Sequence, residues 1–162
     1  MLIRDGSVAK DDFTKLADAA PLGRGAVIVS LKRFLAEREA LLERDDPLGL
    51  LLETSDSPEE LGSDVEKLAL VVLDIPHFKD GRGFTLARIL RARLGFKGEI
   101  RVAGHVLHNQ ITFYKRVGVN AFELAENLSL EDYNAALGEI TNVYQPSVDG
   151  RKTIYNMRSG QG

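Results

Sequence analysis

The chain has 162 residues, 44% hydrophobic and 28% charged, with no cysteine and a formal charge of −3 from 24 acidic and 21 basic side chains. A chain of this size can bury roughly two-thirds of its unfolded surface as one domain, and this composition excludes wholesale disorder. Without cysteine there are no disulfides, thiolate metal sites or cysteine nucleophiles within the chain. The acidic balance speaks against non-specific nucleic-acid binding. No apolar run approaches the ~18 residues of a membrane span, and the opening stretch does not read as a secretory signal. The expected location is the cytoplasm.

In chain order, Asp5-Gly6 is a turn dipeptide and predicts a small hairpin over residues 2–10. Residues 25–30 (GAVIVS) read as a buried strand, and residues 31–43 as an amphipathic helix with apolar positions at three- and four-residue spacing. Residues 48–52 (LGLLL) predict a second strand. Ser57, Pro58 and Glu60 then form a helix-start pattern of N-cap, N1 proline and capping glutamate. Residues 68–73 (LALVVL) give the clearest strand, followed by a Pro- and Gly-bearing loop to Gly83 and a helix over residues 84–94 stopped by Gly95. A fourth strand falls at residues 99–103, a helix at 105–117, a fifth strand at 120–124 and a capped helix from Ser129.

Strands alternating with helices predict an α/β fold with a parallel sheet of about five strands. The continuously apolar strands imply that both faces are covered. The sheet is expected to be either open and doubly wound or a half (β/α)-barrel, since a full eight-fold barrel needs about 250 residues. Residues 1–144 are expected to form the domain, and residues 145–162 a polar tail that docks on a partner.

Ligands of parallel sheets bind beyond the carboxyl ends of the strands. That rule selects the loop from Glu53 to Asp56, the loop over residues 74–83, Gly104 with His105, and the loop from Glu123 to Glu126. In the second of these, Asp74 sits at a strand end and His77 follows; Asp80, Gly81, Arg82 and Gly83 then lead into a helix. This arrangement suits an oxyanion, with Arg82 as the clamp and Asp74 orienting it. The alternative is a tight turn in which Asp80 caps the helix and Arg82 pairs with Asp74. His105 and His108, three apart, could share a helix face and form a metal site with Asp74 or Glu123. His77 and His105 are also candidates for general acid–base work. Asn109 and Gln110 offer amides to a ligand or a neighbouring loop. Arg88, Arg91, Arg93 and Arg101 read together as a solvated basic face or as a surface for an anionic partner. There is no Gly-Lys-Ser/Thr phosphate loop and no third glycine of a dinucleotide fingerprint, so no bound cofactor is identified.

The stretch from Phe78 to Gly95 (FKDGRGFTLARILRARLG), with KGEIRVAG to Gly104, Val106, Leu107, Gln110 and Arg116, resembles a bacterial family called domain of unknown function 934. The resemblance spans most of residues 48–124. It matches the family pattern at Asp80, Gly81, Arg82, Gly83, Arg88, Arg91, Glu99, Arg101, Gly104 and Gln110. It departs where the family has aspartates and this chain has His105 and Asn109. The resemblance implies an oxidoreductase or accessory protein of assimilatory sulfite reduction, because members of the family accompany sulfate-assimilation enzymes. Sulfite reductase, or another sulfur-assimilation enzyme, is then the expected partner. Two other readings stand beside it. One is a non-catalytic module docking a reductase subunit. The other is a small metal-dependent lyase or hydrolase using Asp74, His77 and His105. A homodimer is the default assembly.

Overall fold

The computed structural model describes residues 1–139. The tail expected at residues 145–162 lies outside them. Five parallel strands form the centre of the sheet: β4 (Val27–Ser30), β5 (Leu48–Glu53), β6 (Leu70–Ile75), β7 (Glu99–Gly104) and β8 (Ala121–Glu123). These are the five read from the sequence. Three short strands bring the described sheet to eight. β1 (Leu2–Arg4) and β2 (Ser7–Ala9) form the expected hairpin around Asp5, which has φ 50°, and Gly6; β1 lies antiparallel to β8. β3 (Thr14–Lys15) joins β4 in parallel at the opposite end. Two residues carry too little pattern for β3 to be read from sequence.

The sheet order is β2-β1-β8-β7-β6-β5-β4-β3. The strands from β3 to β8 therefore lie side by side in chain order. A doubly wound sheet needs a reversal of strand order, and there is none among the described strands. With crossovers of one hand, every helix falls on the same face. Packing agrees. Val29, Leu50, Leu52, Val71, Leu73, Ile75, Ile100, Val102 and Phe122 share one core with helical residues such as Phe34, Leu61, Leu90 and Tyr114. Residues of the other parity, Ile28, Leu70, Val72 and Ala103, form a separate small cluster with Phe13 and Leu51. The sheet is thus a curled half-barrel with helices outside and an inner face covered by the chain's own N-terminal segment.

The helices are shorter and less regular than their periodicity predicts. Residues 31–43 form two helices, α1 (Leu31–Ala36) and α2 (Arg38–Leu42), broken at Glu37 (φ −115°, ψ 26°). Residues Pro58–Lys67 are 3₁₀ turns kinked at Gly62, and Ser57 bonds the Glu59 carboxylate instead of capping the helix. α3 (Arg82–Arg88) continues as a π-helical turn (Ile89–Arg93) and stops at Gly95, which has φ 66°. A 3₁₀ turn (His108–Gln110) leads into α4 (Ile111–Arg116). The Ser129 cap forms as read: Ser129 Oγ accepts from Asp132 N, and the Asp132 carboxylate accepts from Ser129 N, opening α5 (Leu130–Glu139). Among the described residues, no helix is long and apolar enough to cross a membrane.

Candidate functional site

The carboxyl ends of β5 to β8 carry the residues that the strand-end rule selects. Glu53 and Asp74 are register partners on adjacent strands, and Asp74 is in turn the partner of Ala103. Both carboxylates belong to the inner-face parity, as does Glu123 at the end of β8. Glu53 is exposed; Asp74 and Glu123 are half-buried. Gly104, with φ 90°, lets β7 pass close to β6: a Cβ there would strike the Ile75 carbonyl and lie 3.2 Å from Asp74 Oδ1.

The loop after β6 is closed on itself. Arg82 donates from Nε to Asp80 Oδ1 (2.9 Å) and from Nη2 to Oδ2 (2.8 Å), and its backbone N–H donates to Oδ1 (3.1 Å). The Arg82 guanidinium, then a hydrogen bond with the buried Thr54, hold the Asp80 carboxyl far below the usual carboxylate range. The carboxylate in turn raises the Arg82 pKa. Arg82 therefore pairs with Asp80, two residues away, and not with Asp74. Its bidentate fork is already matched to a carboxylate, so the expected oxyanion clamp is occupied by the chain itself. Gly83 is buried for packing: a Cβ there would meet Ile75 Cδ1 at 2.5 Å and the Tyr114 hydroxyl at 2.6 Å. Gly81, by contrast, faces open space.

Gln110 joins two of the loops. Its Nε2 donates to the Phe78 carbonyl (2.7 Å), and its Oε1 accepts from Leu107 N (3.0 Å). Phe78 and Leu107, flanking this amide, are each 43% exposed, and Phe113, one turn further along, is 47% exposed. His77, His105 and Asn109 are also exposed. A cleft of about 500 Å³ opens between the ends of β7 and β8, lined by residues 104–108 and by Ala125, Asn127 and Leu128. That volume suits a small organic ligand. Among the described residues, no three His, Asp or Glu side chains gather as a metal-binding group. Asp74, His77 and His105, which their strand-end positions suggest for a metal site, are not gathered as such a group.

Arg101 occupies a different place from the surface face read from sequence. It is fully buried on the inner face of β7. Its Nε donates to Glu99 (2.8 Å), and its Nη1 to Asp11 (2.8 Å) and Glu123 (3.2 Å). Burial works against its charge, but Asp11 and Glu99 more than offset this and leave its pKa raised. Arg4 pairs with Glu99, and Lys15 on β3 with Glu123 on β8 (3.5 Å). Lys15 to Glu123 spans the curl of the sheet, with four strands between them. Asp11, Lys15 and Arg4 were missed by sequence reading. They lie 90 residues or more from their partners, and no spacing signal crosses that distance. Arg91 likewise differs from the surface face expected of it: it is half-buried and bonds the carbonyls of Phe96, Gly98 and Gly118.

Fold and site together define a parallel half-barrel with polar strand ends, an apolar rim and an ion-paired interior. The family model described as a bacterial protein of unknown function, DUF934, matches residues 49–155. The chain belongs to that family, as the DGRGF stretch and its continuation indicate. No curated protein matches the chain.

Proposed function

We propose that this protein is an accessory factor of assimilatory sulfite reduction that acts by docking a reductase subunit through its Phe78–Leu107 rim. The observation that supports docking is the pair of exposed apolar side chains flanking the Gln110 amide, with Phe113 one turn further on. Large apolar side chains held outward on braced loops suit a protein contact, where desolvating aromatic anchors supplies binding energy. The choice of a sulfite reductase as partner rests on the family resemblance. The self-paired Arg82 weighs against the oxyanion loop as the functional element.

The test is direct binding of the full chain to purified sulfite reductase subunits, with Phe78→Ser/Leu107→Ser as the variant and Leu35→Ser as a control. Leu35 is also exposed but lies on α1. The wild type and control should bind alike, and the double variant at least ~tenfold more weakly. Equal binding by all three, or none by the wild type, rejects the proposal.

A second reading is an oxidoreductase that binds a small electron-carrying ligand. The cleft beside His105 and His108 favours it. A thermal-shift series with NADPH and FAD should then raise the midpoint by linkage, and a flat response removes it.

A further inference from the structure

The inner face is covered by a strap. Residues 10–13 run without regular structure from β2 to β3 and cross the face of the sheet. Phe13 lies over Gly49, whose missing side chain leaves room for the ring: a Cβ there would stand 3.4 Å from Phe13 and 2.9 Å from Ile28. Asp11 brings a carboxylate onto Arg101.

That carboxylate is a poor match for the guanidinium it meets. Asp11 Oδ2 takes Arg101 Nη1, while Oδ1 is turned back to accept from Phe13 N (3.2 Å). Arg101 Nη2 is buried and has no hydrogen-bond partner among the described residues. A guanidinium end presents Nη1 and Nη2 as a fork for both oxygens of one carboxylate. The tether of Asp11 to its own chain prevents that pairing, and a buried N–H group is left unmade.

The charges also balance only with Asp11 in place. Arg4, Lys15 and Arg101 face Asp11, Glu99 and Glu123. When the strap leaves, three cations face two carboxylates and one negative charge is missing. Glu53 and Asp74, two residues further along their strands, add acidity at the mouth and disfavour a multiply charged ligand.

We infer that the inner face of the half-barrel is a binding site for a small monocarboxylate, which forks across Nη1 and Nη2 of Arg101 in place of Asp11 as the strap over residues 10–13 swings away. This site is separate from the docking rim and stands or falls independently of it. Phe13 is half-buried and the aspartates beside it are exposed, so the strap has little to hold it beyond this ion pair and one ring.

The experiment uses the full chain, with sodium formate and sodium acetate as probes and sodium chloride at equal ionic strength as reference. Asp11→Ala should lower the thermal midpoint, and formate should restore it in a concentration-dependent way that chloride does not. In the wild type, formate should accelerate amide exchange at Phe13 and Thr14 by ~tenfold, because their amides are bonded to Asp11 Oδ1 and to Ala26 O while the strap is closed. Absence of formate-specific rescue overturns the site. Rescue without strap opening in the wild type overturns the displacement. Should Asp11→Ala not fold, the wild-type exchange experiment decides alone.

Discussion

Asp80 and Arg82 form a closed pair two residues apart, with both carboxylate oxygens accepting from the guanidinium, from Nε and Nη2 at 2.9 and 2.8 Å. The pair fixes the turn into α3 and keeps Asp80 ionised deep into acid. A carboxylate whose folded pKa is depressed contributes stability that is present above its unfolded pKa. That stability is lost as pH falls from the ordinary value of about 3.9 through the folded one. Asp80→Asn should therefore flatten the acid limb of the stability profile below about pH 4. Arg82→Ala should move the Asp80 titration upward in carbon-detected NMR. An unchanged Asp80 titration in Arg82→Ala would show that the ion pair does not form in solution.

Tyr114 offers an opposite case. Its ring stacks on Phe84 with centroids 4.0 Å apart, but its hydroxyl is buried without a hydrogen-bond partner among the described residues. Burial, and then the Asp80 charge, push its pKa up to about 12. A raised pKa means that this stability is intact below the unfolded value of about 10 and drains away as pH rises toward the folded one. Tyr114→Phe keeps the stack and removes the orphaned hydroxyl. It should be neutral or stabilising by up to about 1 kcal/mol at pH 7, and should flatten the loss of stability above about pH 10. Chemical denaturation at pH 7 and pH 11 measures both. A loss of more than about 1 kcal/mol at pH 7 would mean the hydroxyl has a partner.

What could be read in advance followed from local physics. Apolar runs such as LALVVL mark β6 because a strand covered on both faces must be apolar throughout, and Asp5-Gly6 marks a hairpin because that turn needs positive φ. The winding of the sheet was not legible, since strand order is set by which neighbours pair and not by any one segment. Nor were the interior ion pairs. Arg101 sits among four arginines in the sequence, and only the parity of β7 relative to β6 turns it inward beside Val72. Strand-end residues such as Asp74 and Glu123 could be named because topology alone sends them to one rim. Asp80 is nearer to Arg82 in sequence than Asp74 is, and the two-residue turn closes the pair locally.

Two glycines of one loop should respond in opposite ways. At Gly83 an added methyl meets Ile75 Cδ1 and the Tyr114 hydroxyl at 2.5 and 2.6 Å, and both side chains are fully buried. At Gly81 the backbone has φ −69° and nothing lies within 4 Å. Gly83→Ala should cost about 1–3 kcal/mol by overpacking. Gly81→Ala should be neutral or gain about 0.4–1 kcal/mol by restricting the unfolded chain. Urea denaturation of both variants tests this. Equal effects would mean that the helix entrance relaxes away from Tyr114.

Arg91 is the strongest test of the split between buried and surface arginines. Its Nε donates to the Gly118 carbonyl (2.8 Å), its Nη1 to Phe96 (2.6 Å) and Gly98 (2.8 Å), and its Nη2 to Asn120 Oδ1 (3.3 Å). Its guanidinium also lies 5.6 Å from the Phe96 ring centre. Among the described residues no carboxylate hydrogen-bonds it; burial lowers its pKa, and the Asp5 charge offsets this only in part. The same Asn120 oxygen accepts from Ile100 N (2.8 Å), so Arg91 helps tie the turn before β8 to the start of β7. A lysine has one nitrogen and no plane, and cannot reach three diverging carbonyls at once. Arg91→Ala should cost about 3 kcal/mol or more, as several acceptors lose a charged donor, and Arg91→Lys should recover less than half of that. Arg88, exposed on α3, should tolerate alanine within about 0.5 kcal/mol. Guanidinium denaturation of the three variants separates the cases. If Arg91→Lys matches the wild type, charge rather than the guanidinium fork holds the β7–β8 junction together.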